Sequence, residues 1–269
     1  MSILKQGHTY RAMPHDGKLI AYIYRGGRCY YIASPYSPEA TQALKAAFPQ
    51  YWTAIRDYGY AHPQLVPFIN EDPMLIVSLV EVGKTRWLVG DGKAWINLNF
   101  KATQNTTAKA KAKLLGKTSV SDYQAIFGAR TADKVNGFDI CFRYPELMYM
   151  DFSNTSADNI QLGAPGTEAE VELNKNGGWL NGTKVFNSST TAFTTPSNVL
   201  LFGRTDNSTA NARPLNGAIA YVQFGGDQNF HLLPFTRNGE NGMLDILSGT
   251  FHPNANTEGT FTIAITDKE

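Results

Sequence analysis

The stretch TEAEVELNKNGGWLNG, residues 167–182, puts acids at every second position, Glu168, Glu170 and Glu172, and then breaks into an Asn/Gly-rich turn. Side chains on an extended chain alternate between two faces, so the three carboxylates share one face if the segment is a strand. Asn174-Lys-Asn-Gly-Gly then reads as a hairpin turn. Three acids on one strand face suit a glycosidase, which needs a nucleophile, an acid/base and a helper carboxylate. They suit the solvated face of an ordinary antiparallel strand equally well.

A second run has the same period. AKAKAKLL, residues 108–115, puts Lys109, Lys111 and Lys113 on one face. Like charges on a strand repel, whereas opposite charges across neighbouring strands contribute roughly 0.2–1 kcal/mol each. The two triplets are therefore predicted to lie on adjacent strands of one sheet as a Lys/Glu ladder. From Met74 onward, starting with the run 74–82, short strand-like segments alternate with Gly, Asn, Asp, Pro and Ser clusters. Many short strands without helical periodicity predict a mainly β, two-sheet antiparallel sandwich.

The first ninety residues differ. Residues 19–36 form two β-branched and aromatic runs around Gly26-Gly27, a hairpin signal. Ser37-Pro38-Glu39 supplies an N-cap, a proline at the first helical position and an early acid. Ala40, Leu44 and Ala47 follow at helical spacing, and Pro49 predicts a break. Tyr51, Ile55 and Tyr58 mark a second helix that Gly59 is expected to end. Residues 60–73 are proline-broken and read as a connector. The domain reading is a small α+β module over 1–90 and a β-domain over 91–269.

With 24 basic against 23 acidic residues, no charge excess drives binding to nucleic acid or to an anionic membrane. The N-terminus shows no signal-peptide pattern, and Met74–Val82 is too short to span a bilayer. The expectation is a protein assembled in the cytoplasm, without membrane insertion. Cys29 and Cys141 read as buried free thiols. The scattered His8, His15, His62, His231 and His252 form no zinc motif. No nucleophile elbow or phosphate-binding loop appears. Asn105-Thr-Thr and Asn207-Ser-Thr read as turn polarity.

IFGAR (126–130), VELNKNGGWLNGTKVF (171–186), LLFGR (200–204), LNGAIAYVQF (215–224) and LLPFTRNGENGMLDILSGTFHPN (232–254) occur in that order. Together they resemble the concanavalin A-like, laminin-G-like jelly-roll domain, over about residues 93–265. The likeness is to the version found in surface and virion proteins of gut bacteria and their tailed phages. In the same segments Gly128 and Gly203 read as rim turns.

The resemblance implies a non-enzymatic virion structural protein, capsid-associated, fibre-like or tail-associated. Residues 1–90 would then grip other virion proteins in a homo-oligomer, and the jelly roll would meet host-surface polysaccharide. Two alternatives are a bacterial surface lectin and a glycoside hydrolase using Glu168 and Glu172 with Glu170 between them. Against the hydrolase, Glu170 stands where that family's pattern has Asp. Trp179 is the candidate sugar-stacking platform, with Asn181 beside it; otherwise Trp179 packs between the sheets and Asn181-Gly182 turn the chain. No cofactor is expected. Laminin-G-like domains sometimes hold calcium, for which Asp151, Asp206 and Asp227 are at loop-like positions without calcium-loop spacing.

Overall fold

The computed structural model describes residues 34–131, 135–188, 191–206 and 213–268, and the backbone pairing of four two-residue strands between Pro14 and Cys29. The chain divides into two compact units, Met1–Lys84 and Thr85–Glu269.

In the first unit β1 (Pro14–His15) pairs with β2 (Lys18–Leu19), and β3 (Tyr24–Arg25) with β4 (Arg28–Cys29). The second pair flanks Gly26-Gly27, where the sequence places a hairpin. Four helices follow: α1 (Pro38–Ala47), α2 (Trp52–Ala61), α3 (Val66–Glu71) and α4 (Ile76–Leu79). Ser37 caps α1, its hydroxyl oxygen accepting from the Ala40 amide at 3.1 Å. The turns between helices are short 3-10 segments that begin at Pro49, Pro63 and Pro73. Proline lacks an N–H and has a preset φ, so it ends one helix and starts the next.

Three sequence readings are corrected by this. Residues 60–73 are not a connector but carry a 3-10 turn and α3, and Met74–Leu79 are helical where a strand is predicted. Leu65, Ile69, Leu75 and Ile76 are buried, so the apolar run packs as short helices. Gly59 does not end α2. A Cβ there would fall 2.4 Å from the Tyr36 hydroxyl, which donates to the Ile55 carbonyl at 2.7 Å. That glycine is a packing requirement inside the helix.

The second unit is a mainly β, two-sheet jelly-roll sandwich. Its larger sheet contains β5 (Lys84–Asp91), β7 (Thr107–Leu114), β12 (Glu168–Asn174), β13 (Gly177–Leu180) and β14 (Thr183–Phe186). It continues with β17 (Asn216–Gly225), β18 (Phe230–Arg237), β19 (Glu240–Asp245), β20 (Thr250–His252) and β21 (Phe261–Asp267). The order is β14-β13-β12-β7-β17-β18-β19-β20, with β5 also beside β17 and β21 beside β5. Since Leu88–Asp91 pair with Asn216–Ile219, the sandwich takes in a strand that the sequence reading assigns to the N-terminal module.

The smaller sheet runs β11-β10-β9-β8-β15-β6. Its members are β6 (Ile96–Asn97), β8 (Tyr123–Arg130), β9 (Gly137–Arg143), β10 (Leu147–Ser153), β11 (Thr155–Gln161) and β15 (Leu200–Leu201). A two-residue strand, β16 (Thr205–Asp206), pairs parallel with the end of β8, whereas the ladders along the β11-to-β6 path are antiparallel.

The core forms where the sheets face each other. The inward side of β7 carries Ala108, Ala110 and Ala112, all buried. These small side chains leave room for the rings of Phe127, Phe138 and Phe224, whose centroids lie 5.6–6.4 Å apart. Each such burial contributes roughly 1.5–3 kcal/mol. A bulge between Ala125 and Phe127 lets Ile126 and Phe127 both reach the core, while Ala125 stays on the outer face. Asn181 (φ 49°) and Gly182 (φ 77°) make a two-residue turn between β13 and β14, so residues 179–186 are a hairpin rather than one strand. Among the described residues no helix is long and apolar enough to cross a membrane.

Candidate functional site

The lysine and glutamate triplets occupy neighbouring strands of the larger sheet. Glu168 lies opposite Lys113, Glu170 opposite Lys111 and Glu172 opposite Lys109. The short ion pairs run diagonally: Lys109 Nζ to Glu170 at 2.7 Å and Lys111 Nζ to Glu168 at 2.5 Å. Lys113 reaches Glu168 only at 4.0 Å and places its ammonium 4.2 Å from the centroid of the buried Trp87 ring. Glu170 also accepts from the Tyr221 hydroxyl at 2.9 Å. The Lys109 hydrogen bond holds the Glu170 carboxyl below the usual carboxylate range, against a smaller desolvation effect.

One row crosses this face without interruption. Trp179 opposes Glu172, Glu172 opposes Lys109, Lys109 opposes Gln223, and Gln223 opposes His231. Directly opposed residues point to the same side of a sheet, and four interstrand gaps span about 19 Å. Gln223 Nε2 and His231 Nε2 lie 3.2 Å apart, and burial pushes the His231 pKa down. A depression of about 430 Å³ opens along the middle of the row, lined by Lys109, Glu172, Gln223, Asn229, His231 and Leu247. Trp179 is half-buried at the end of the row, with the Lys184 ammonium 5.6 Å from its ring centroid. It faces this outer surface and not the inter-sheet core. Asn181 is a turn residue whose side-chain oxygen accepts from the Glu170 amide at 2.9 Å, which engages its acceptor in the fold.

The outer face of the smaller sheet holds a second cluster, which the sequence reading did not identify. Asp139 and Asp151 are directly opposed on β9 and β10, and both are fully buried. Arg204, 1% exposed, donates to Asp139 at 2.7 Å and makes a two-point contact with Asp206 at 2.9 and 3.1 Å. Arg130 donates to the Tyr149 hydroxyl at 3.0 Å, which donates to Asp151 at 3.2 Å. Cys141, the free thiol among the described residues, donates to Asp139 at 3.1 Å, and burial pushes its pKa well up. Desolvation and the neighbouring Asp139 charge raise the Asp151 carboxyl to about 8, against the opposing pull of Arg130. The Asp139/Asp151 pair thus holds a proton at neutral pH.

Gly128 belongs to this cluster and is not a rim turn. A Cβ on it would fall 2.2 Å from the Asp139 Cβ and 3.2 Å from Arg204 Cγ. Alternation along DIC and YMD would have put Asp139 with Cys141, and Tyr149 with Asp151, on one outer face. The clue was an acid inside each of two apolar strands, with Arg130 and Arg204 each two residues or fewer beyond a Gly.

The three acids considered for calcium do not converge on one loop. Asp151 and Asp206 sit in strands within the arginine cluster, and Asp227 accepts from Thr103 and Thr106 hydroxyls at 2.6 and 2.7 Å. Among the described residues no group of three or more His, Cys, Asp or Glu is placed to hold a metal. His8, the Cys29 side chain and the Asn207 sequon lie outside the described residues.

No family model matches the chain, and no curated protein does. Among solved structures, domains LG4-5 of the mouse laminin alpha1 chain are similar to it, with a TM-score of 0.36 and 14% identity. That likeness covers 53% of this chain and 40% of the laminin chain, so the chain matches about two fifths of that structure's length.

Proposed function

We propose that the chain is a non-enzymatic adhesive display module whose sandwich meets a polysaccharide along the larger sheet. The observation that carries this reading is the continuous row Trp179–Glu172–Lys109–Gln223–His231 with the depression at its middle. It combines an aromatic ring with amide, imidazole and charged side chains on a rigid sheet, the mixture that suits the hydroxyl-rich edges and apolar faces of sugar rings. In the biological setting we favour, the module is a component of a phage virion. Residues 1–84 attach it to other virion proteins in a homo-oligomer, with no role for nucleic acid or membrane. A bacterial surface lectin would use the same face.

Glycoside hydrolysis is the reading the carboxylates favour least. A glycosidase acid must keep its proton near neutral pH, and so needs a raised pKa. Glu168, one of the two candidate catalytic carboxylates, is instead tied to Lys111 in a short ion pair, and Glu170 between them is pushed down by Lys109.

Retention of the full-length protein on bacterial surface polysaccharides, with release of reducing ends assayed in parallel, tests the reading. Retention that falls at least tenfold in Trp179→Ala and Gln223→Ala, without release, is expected. Released reducing ends would overturn the non-enzymatic assignment, and full retention by both variants would overturn the use of this face. Deletion of residues 1–84 is expected to abolish incorporation into particles; surviving incorporation would refute the attachment role.

A further inference from the structure

We propose that the cavity between Tyr123, Arg130, Tyr149, Arg204 and Arg213 on the smaller sheet binds the carboxylate of a single small sugar acid. This site lies on the other sheet from the row above and does not rest on the adhesive reading.

Its volume is about 220 Å³, below the roughly 300–1,000 Å³ of ordinary ligand clefts, so it takes one small residue and not a chain. Three guanidiniums line it, and their donors are unevenly used. Arg204 is fully engaged by Asp139 and Asp206. Arg130 uses Nε on Asp206, at 3.3 Å, and Nη1 on Tyr149. Arg213 uses Nη1 on Ser121 at 2.6 Å, while its Nε, 4.0 Å from Asp206, has no hydrogen-bond partner among the described residues. A planar carboxylate matches such a guanidinium fork with two parallel bonds.

Charge points the same way. Among the described residues three guanidiniums face Asp206 and an Asp139/Asp151 pair that carries one negative charge, which leaves one positive charge uncompensated by them at neutral pH. The neighbouring Arg143 is balanced by Asp158 at 3.2 Å. The aromatic walls are Tyr123 and Tyr149, nearly perpendicular with centroids 5.8 Å apart. The Arg143 and Arg213 guanidiniums lie 5.3 and 5.8 Å from the Tyr123 ring centroid and Arg130 lies 5.7 Å from that of Tyr149, so the walls are aromatic and cationic together. Arg213 is the most exposed of the three guanidiniums, with 31% of its side chain accessible.

The affinity should depend on pH. Asp151 is faced by Asp139 on β9, Arg130 on β8, Tyr149 on its own strand, and by the neighbouring Arg204 and Cys141. Burial keeps Tyr149 and Cys141 protonated well into alkaline pH. Above about pH 8 the acid pair releases its proton and the positive excess disappears, so anion binding weakens.

Calorimetric titration of the full-length protein with glucuronate, glucose, sulfate and phosphate tests the assignment at pH 7 and 9. Glucuronate should bind while glucose does not, at least tenfold more weakly in Arg213→Gln with the melting temperature unchanged, and more weakly at pH 9. Arg213→Lys keeps the charge and loses the fork, and should weaken binding as well. No binding of glucuronate, binding untouched by both variants, or sulfate and phosphate binding as tightly as glucuronate would each overturn the proposal.

Discussion

Replacing Asp151 with Asn should remove a pH dependence of stability that the wild type carries. The side chain is fully buried and opposes Asp139 on the next strand, and among the described residues neither Asp139 Oδ1 nor Asp151 Oδ1 has a hydrogen-bond partner. In the folded protein the Asp151 carboxyl lies at about 8, against an ordinary value of 3.8. The folded state therefore binds the proton more tightly than the unfolded chain does. Its stabilising contribution is complete below the unfolded value and is lost as pH rises from about 4 to about 8, after which the curve is flat. About four pKa units at 1.36 kcal/mol each give a loss on the order of 5 kcal/mol across that window. Asn has the same shape and no proton to lose, and can still accept from Tyr149. Urea unfolding of the full-length chains, followed by tryptophan fluorescence from pH 4 to pH 9, measures the difference. Asn should gain several kcal/mol on the wild type between pH 5 and pH 9, with unchanged m-values. Parallel stability curves for the two proteins would refute a proton held by Asp151 in the folded state.

Gly128→Ala should destabilise the sandwich by about 1–3 kcal/mol, because the new Cβ meets the Asp139 Cβ and Cα from backbone-fixed positions; an unchanged urea midpoint would show that the strands yield freely. In the ladder, Lys111→Glu and Glu168→Lys should each cost roughly 0.2–1 kcal/mol, and the double swap should restore most of it. That coupling should shrink in 1 M salt, where the screening length is about 3 Å; equal coupling at low and high salt would deny it an electrostatic origin. Gly59→Ala should destabilise the helical unit by displacing the Tyr36 ring from its bond to Ile55, seen as faster amide exchange in α2.

How much of this was legible in the sequence depends on what each residue answers to. Alternation is a local property, so the opposed Lys and Glu triplets and the two-sheet class could be read from the period alone. The diagonal pairing could not, because it depends on how each lysine leans once Trp87 and Tyr221 take up neighbouring space. The helical unit misled because Pro49, Pro63 and Pro73 look like breaks, whereas each sits at the start of a 3-10 turn that leads into the next helix. Trp179 was ambiguous for a similar reason: only the register with Glu172 decides which face it joins. The arginine cluster was hidden most completely. Arg130 and Arg204 follow Gly in segments that read as strand ends, and rules of thumb place a charged residue there in water. Their partners are far away in sequence, at Asp139, Asp151 and Asp206, and a buried guanidinium is tolerable only when such carboxylates are in place. The sheet pairing that brings them together is therefore also what makes the site, and the excess charge it leaves is what a ligand would answer.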